Sequence, residues 1–220
     1  GDWSSDVCSS DLINGQSLSA NGNYLIYSLQ KGGKDHTLKI RNNKAALLLQ
    51  HERAEKGQFT FDESNALFTI KAWKDSVLEM KRRKVKKANL PKDTLGIYNI
   101  KLDTLIKIPN IQSYKIPQKW AGVVAYLLAE VPAKKKAKSD EKEADEKKDK
   151  KVKKPGKKNG YDLIVRNLFN GSEDTLRFVK DYVFAKEGKR LAYTTTGEKD
   201  KSSAGVYVID FESNTTTQIF

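Results

Sequence analysis

A single phrase recurs along this chain: a polar, turn-forming cluster leads directly into a short aromatic and β-branched run. Four copies of the phrase occupy residues 19–27, 62–70, 117–126 and 186–194. This composition is typical of a tight turn that leads into a mostly buried strand. We therefore predict that the same turn and strand unit occurs four times.

Further runs follow these phrases. Second runs with clear alternation lie at 37–42, 95–100, 161–167 and 205–210, weaker third runs at 105–108 and 175–178, and short lead-in strands at 58–61 and 181–184. Four short antiparallel strands at a period of about forty residues, once charged insertions are subtracted, are typical of β-propeller blades. We predict an all-β fold, a partial β-propeller of about four blades. The alternative is a β-sandwich with irregular loops, which gives no reason for the phrase to recur at one period.

The first residues are set apart from this prediction. Residues 2–12 match, codon by codon, the translation of a common short-read sequencing adapter, so we treat 1–12 as an artefact and 13–220 as an incomplete propeller domain. The single cysteine, Cys8, lies in the artefact, so no genuine thiol, disulfide or cysteine metal site is expected. The true N-terminus is expected to be lost and the C-terminus to be cut within a strand at 216–220. Neither a signal peptide nor a location can therefore be inferred from the sequence.

The net charge of +13 suggests nucleic-acid binding, but this charge is local. Residues 133–158 hold 13 Lys against 6 Asp and Glu, a net charge of +7, and residues 74–92 hold 8 Lys and Arg against 2 acids, a net charge of +6. Since the charge belongs to two insertions and not to a continuous groove, we expect no nucleic-acid partner. No apolar run approaches the roughly 18 residues of a membrane span, so no span is expected in this chain.

The two charged segments are predicted to be insertions between strands. Residues 133–159 hold almost no large apolar side chain and cannot offset the entropy of ordering, which predicts a disordered loop. Residues 75–88 are predicted to form a short helix that begins near Asp75, with Val77, Leu78 and Val85 on one face that can dock on the sheet. A polybasic contact for the loop and a binding role for the helix are the open alternatives.

A complete catalytic site is missing from the sequence. A nucleophilic serine of the hydrolase type needs a Gly-x-Ser-x-Gly elbow, and none occurs. His36 and His51 are predicted to be ordinary surface or loop residues in or near turns. The glycine turn at 32–34 lacks the rest of a P-loop, and no group of residues has metal-ligand spacing. We therefore predict no catalytic, cofactor-binding or metal-binding residue and no cofactor, and we expect the aromatic side chains to form core.

Several phrases carry a family resemblance. A basic segment at 73–87 is followed by Leu-Pro-Lys-Asp-Thr-Leu-Gly-Ile-Tyr at 90–98. The phrases Lys-Ile-Pro-Gln-Lys-Trp at 115–120 and Asp-Leu-Ile-Val-Arg-Asn-Leu at 162–168 flank the Lys-rich insertion. In these phrases the chain resembles the propeller region of prolyl-oligopeptidase-like (S9 family) serine peptidases of the Bacteroidetes type, over residues 13–220. The phrase Asp-Thr-Leu-Gly-Ile-Tyr is the distinctive one, whereas the turn and strand phrases are common to propellers.

The resemblance implies a larger protein, in which a propeller of about seven blades caps an α/β-hydrolase domain with a Ser, Asp and His triad that cleaves peptides. No triad position maps onto this chain, so the catalytic domain is expected downstream, and peptide substrates would be bound through it. A periplasmic or exported location is typical of similar proteins. Two hypotheses follow: the chain is the non-catalytic, substrate-gating fragment of such a peptidase, or it belongs to a stand-alone binding or scaffolding propeller without enzymatic activity.

Overall fold

Antiparallel strands make up most of the structure, a computed structural model that describes residues 12–30, 32–130, 154–198 and 202–220. The first sheet has four strands in the order β1 (Leu12–Leu18), β2 (Tyr24–Gln30), β3 (His36–Asn42) and β4 (Leu47–Glu52). The second sheet is a ten-stranded meander of β5 (Ala54–Phe59), β6 (Asn65–Ile70), β7 (Asp93–Asn99), β8 (Thr104–Lys115), β9 (Val123–Leu128), β10 (Tyr161–Asn167), β11 (Glu173–Phe184), β12 (Arg190–Thr195), β13 (Gly205–Asp210) and β14 (Thr215–Gln218). The predicted antiparallel, nearly all-β architecture is confirmed.

Two long strands, β8 and β11, each pair with different neighbours along different parts of their length. Residues 104–108 of β8 pair with β7, and residues 111–115 pair with β9. Residues 173–176 of β11 pair with β10, and residues 179–184 pair with β12. The strands thus fall into four sets, which we call strand groups: group 1 is β1 to β4, group 2 is β5 to β7 with 104–108, group 3 is 111–115 with β9, β10 and 173–176, and group 4 is 179–184 with β12 to β14. The prediction of separate strands at 175–178 and 181–184 was wrong, because both lie on the continuous β11.

The same backbone conformation and the same type of hydrogen bond occur at each junction between strand groups. Arg53, Asn110 and Phe178 lie at the three junctions with φ angles of 61°, 59° and 59°. This left-handed conformation is uncommon for residues other than glycine and is typical of a β-bulge that bends a strand. The carbonyl oxygen of each junction residue accepts a hydrogen bond from a residue just beyond the second strand of the following group. The three bonds are Lys71 N to Arg53 O (2.8 Å), Ala129 N to Asn110 O (2.7 Å) and Thr196 N to Phe178 O (3.1 Å).

Three hydrophobic clusters lie between successive strand groups. The first joins groups 1 and 2 through Ile26, Leu38, Ile40, Ala54, Ala66, Phe68, Ile70 and Tyr98. The second joins groups 2 and 3 through Leu67, Leu95, Ile97, Ile111, Val124, Tyr126 and Ile164. The third joins groups 3 and 4 through Trp120, Val123, Ala125, Leu127, Leu163, Val165, Val179, Tyr182, Leu191 and Tyr193. Because successive side chains of a strand point to opposite faces, the central strands bury both faces, and all six residues of β6 are buried.

The predicted helical insertion is shorter than expected. The helix α1 spans Lys74–Arg82, followed by a 3-10 helix at Lys87–Asn89, so the single helix predicted over 75–88 was wrong in its extent. The backbone N–H of Lys74 donates to the Asp35 carboxylate at 3.2 Å, which ties the start of α1 to the loop before β3. Val77 and Val85 are half-buried and Leu78 is 43% exposed, so the predicted apolar face is covered only in part.

The predicted disordered loop over 133–159 lies mainly outside the described residues, as does the predicted adapter artefact over 1–12 except for its last residue. Residues 154–159 are described. Gly156 N donates to Gly160 O at 2.6 Å, and Lys180 Nζ donates to the carbonyl oxygens of Lys157 and Lys158 at 2.8 and 2.7 Å. Leu12, the last residue of the adapter match, begins β1 and pairs with Gln30. Among the helices described here, none has the length and apolar character needed to cross a bilayer.

Candidate functional site

The first strands of all four groups end at one cleft. This cavity of about 610 Å³, which we call the convergence cleft, is lined by the end of each of these strands and the residues that follow it. The lining consists of Ser17, Leu18 and Ala20 from group 1, Gln58, Phe59, Thr60 and Phe61 from group 2, Tyr114, Lys115, Ile116, Pro117 and Gln118 from group 3, and Val183, Phe184, Ala185 and Lys186 from group 4. Ligand sites in proteins commonly have this volume and a mainly apolar lining.

The recurring sequence phrase positions the cleft, because its polar turn directly follows the first strand of each group. Two of these turns are joined by the buried Glu63 carboxylate, which accepts hydrogen bonds from Asn21 N at 2.5 Å and Asn23 Nδ2 at 2.7 Å. Although burial opposes ionisation, the hydrogen bonds from Asn23, Ser19 and Asn21 hold the pKa of the Glu63 carboxyl below its ordinary value. Groups 1 and 2 are thus held together beside the cleft.

A second turn-to-turn contact lies between groups 3 and 4. Lys119 Nζ donates to Glu187 Oε1 at 2.5 Å. Both side chains are exposed, so the pair contributes less than about 1 kcal/mol to stability. The pair matters for geometry, because it joins the turn of the group 3 phrase to the turn of the group 4 phrase.

The wall of the cleft is apolar and open to solvent. Leu18, Phe61 and Val183 come from three different strand groups and are 67%, 47% and 57% exposed. Exposed apolar side chains that gather in one place mark interaction sites more often than scattered ones do. The expectation that aromatic residues form core was wrong for Phe61.

The charged residues in the lining are Lys115 and Lys186. Lys115 Nζ lies 3.6 Å from Asp181 Oδ1 and 4.6 Å from the centre of the Tyr182 ring, so its charge is partly balanced and its position is fixed. Tyr182 in turn donates its hydroxyl hydrogen bond to Ala125 O at 3.3 Å, and burial raises the pKa of Tyr182 to about 12. Lys186 is exposed and makes no ion pair within the described parts of the chain.

The lining combines apolar side chains with a few polar ones that can form hydrogen bonds. Among the described residues that line it, none is His, Cys, Asp or Glu. The amide groups of Gln58 and Gln118 can both donate and accept hydrogen bonds.

The first histidine lies at the edge of a charged network away from this lining. His36 begins β3, with Nε2 at 3.7 Å from Glu55 Oε2. Lys71 Nζ lies 3.7 Å from Glu55 Oε1 and 2.6 Å from Asp93 Oδ2. His36 is the first residue of β3 and follows the turn at residues 32–33, which agrees with the prediction of a position in or near a turn.

The second histidine, His51, lies near the end of β4, two residues before the turn residue Arg53. Its ring centre is 5.8 Å from that of Phe68, and Nδ1 lies 2.6 Å from Glu52 O. Burial lowers the pKa of His51. The two histidines therefore have separate partners, and within the described ranges no group of three or more His, Cys, Asp and Glu side chains is arranged to hold a metal ion.

Sequence reasoning identified the strands that line the cleft but missed the cleft itself. The lead-in strands at 58–61 and 181–184 occupy equivalent places in two repeats, and this equivalence is the signal that predicts a shared location. Lys186 stands within the recurring phrase, where it was interpreted only as part of a turn.

Comparisons with known proteins give a fold but no sequence family. No protein-family profile matches the chain, and no curated protein matches it. A prolyl endopeptidase structure matches 94% of this chain at 9% identity with a TM-score of 0.54. The β-propeller domain of the Trilobed protease from Pyrococcus furiosus matches 95% at 14% identity with a TM-score of 0.38, and TolB from Acinetobacter baumannii matches 95% at 10% identity with a TM-score of 0.44.

These matches cover different shares of the other chains. The chain spans 28% of the prolyl endopeptidase, 71% of the Trilobed protease domain and 43% of TolB. At such low identities the likeness to the prolyl endopeptidase shows a shared fold.

Proposed function

We propose that this chain is part of the substrate-gating β-propeller of a serine peptidase of the prolyl-oligopeptidase (S9) family, of the Bacteroidetes type, and that strand groups 1 to 4 are four of its blades. The observation that carries the proposal is the fold shared with a prolyl endopeptidase over 94% of this chain. The sequence phrases at 90–98, 115–120 and 162–168 support the same family independently of shape.

In this proposal the chain selects substrates and a separate domain cleaves them. The convergence cleft, at about 610 Å³, accommodates a short extended peptide segment but not a folded domain. Its apolar wall and its amide side chains contact such a segment without catalytic groups of their own. Peptide hydrolysis is then the work of a Ser, Asp and His triad in a hydrolase domain outside this chain.

The first test is to read the gene beyond the codon for Phe220. A Gly-x-Ser-x-Gly elbow followed by Asp and His codons is the expected result. Further blades followed by a stop codon would instead favour the stand-alone binding propeller, and the peptidase proposal would be rejected.

A biochemical test uses a fluorophosphonate that labels activated serines. We expect the longer protein to be labelled and this 220-residue chain, treated in parallel, to remain unlabelled. Substitution of the elbow serine by alanine in the longer protein is the matched control and should abolish the label. Labelling of the 220-residue chain itself would contradict the assignment of a non-catalytic role.

A further inference from the structure

The charged residues of the convergence cleft allow it to select ligands by charge as well as by size. Its charged lining residues, Lys115 and Lys186, are both cations, and within the described residues the lining holds no carboxylate. Asp181 lies 3.6 Å from Lys115 Nζ and offsets that charge. Lys186 is the cation that is left to interact with a ligand, since no ion pair to it occurs in the described ranges.

The groups around the rim do not cancel this charge. Lys119 and Glu187 form an ion pair with each other, so together they contribute no net charge. Glu63, the buried carboxylate of the turn after β5, accepts hydrogen bonds from Asn21 and Asn23 and is directed into that contact. The cleft therefore combines an apolar wall with one uncompensated positive charge.

We infer that the convergence cleft binds extended peptides that carry apolar side chains together with a carboxylate, and that it disfavours peptides that carry lysine or arginine. This inference rests on the proposed function only in taking the cleft as a place where peptides bind. An acidic side chain or a free C-terminal carboxylate supplies the same chemistry, and Leu18, Phe61 and Val183 supply the apolar contacts.

Binding of matched peptides to the full chain tests the inference. Three peptides of the sequence Ala-Phe-Leu-Xaa-Phe-Ala, labelled at the N-terminus with an uncharged fluorescent dye and amidated at the C-terminus, carry Glu, Gln or Lys at Xaa. Fluorescence anisotropy gives the Kd of each. Since one exposed ion pair at contact in water changes affinity by about fivefold, we expect the Glu peptide to bind about fivefold more tightly than the Gln peptide and the Lys peptide more weakly than both.

Two variants separate the local charge from net charge. Lys186→Glu should reverse the order of the Glu and Lys peptides, and Lys186→Gln should remove the preference. Lys101→Glu is the matched control, because Lys101 is exposed in the turn between β7 and β8, at the same end of the strands but outside the cleft lining. It makes the same change in net charge and should leave the order unchanged.

A fourth Glu peptide with a free C-terminal carboxylate distinguishes the two sources of negative charge. If only this peptide gains affinity, the cleft recognises chain ends; if the amidated Glu peptide gains as much, it recognises acidic side chains. Equal binding of all four peptides, no binding of any, or an equal effect of Lys101→Glu would overturn the inference. These outcomes require no hydrolysis, so they are independent of whether the gene encodes a serine elbow.

Discussion

Replacement of Gly96 by alanine tests how closely the neighbouring strands β6 and β7 of group 2 are packed. Gly96 in β7 pairs directly with Phe68 in β6, and the Phe68 ring lies across the glycine. A Cβ atom at position 96 would lie 2.5 Å from Phe68 Cε2 and 2.8 Å from Cζ. The φ angle of Gly96 is not in the left-handed region, so alanine meets this contact without added backbone strain.

The magnitude follows from two opposing effects. Overpacking of a filled core costs about 1 to 3 kcal/mol, and Phe68, which is fully buried, has little room to move. Replacing glycine by alanine also restricts the unfolded chain, which returns about 0.4 to 1 kcal/mol. We therefore expect Gly96→Ala to lower the free energy of unfolding by about 1 to 2 kcal/mol.

Urea unfolding followed by far-ultraviolet circular dichroism measures this change. Phe68→Leu is the second arm of a double-mutant cycle, because a shorter side chain makes room for the new methyl group. The double variant should lose less stability than the sum of the two single variants by at least about 0.5 kcal/mol. Strict additivity, or a Gly96→Ala variant as stable as the parent, would refute the packing argument.

Three further results are expected. Glu173→Ala should lower the free energy of unfolding by about 2 kcal/mol, measured with urea, because the buried Tyr126 hydroxyl donates to Glu173 Oε1 at 2.7 Å and would lose its acceptor. Tyr126→Phe removes the hydroxyl that needs this acceptor, so it should cost less stability than Glu173→Ala. A larger loss for Tyr126→Phe would contradict this. Hydrogen bonding from Arg190 lowers the pKa of Asp210 to about 2, so the stabilisation from ionised Asp210 is complete above about pH 4, is lost as pH falls towards 2, and should vanish in Asp210→Asn; an NMR titration midpoint of the Asp210 carboxyl near 4 would argue against the pair. The 220-residue chain alone should have a low melting temperature, because β13 is only half-buried and β14 is exposed while the central strands are buried on both faces. Cooperative melting at high temperature in calorimetry would contradict this.

The strands were predictable because their apolar alternation is local. The run at 65–70 and the run at 123–128 contain enough β-branched and aromatic residues for the sequence to indicate strands that are buried on both faces. What the residues did not indicate is how a strand continues across a junction. Pro109 and Asn110 are typical of a turn, yet they form a bulge inside β8, where the missing N–H of proline is tolerated.

The cleft was not predictable because it depends on which strand ends meet in space. Phe61 and Val183 lie far apart in the sequence, and each alone is an ordinary apolar residue at or near the end of a strand. Only the order of pairing, fixed by the bulges at the junctions, brings the ends of the first strands to one place. The charge preference inferred for Lys186 arises in the same way, since the ion pair between Lys115 and Asp181 is formed by strands from different repeats.

The junctions also explain how a shared fold can persist at very low sequence identity. Arg53, Asn110 and Phe178 have unrelated side chains but the same left-handed backbone and the same carbonyl hydrogen bond. The repeat at these positions is therefore a property of the main chain, and side chains need only preserve apolar alternation around it. Because Asn adopts positive φ more readily than Phe or Arg, the fold tolerates strain at Arg53 and Phe178, and packing of adjacent strand groups must compensate for it. The fully buried Val179, which follows Phe178 and belongs to the cluster between groups 3 and 4, provides part of that compensation.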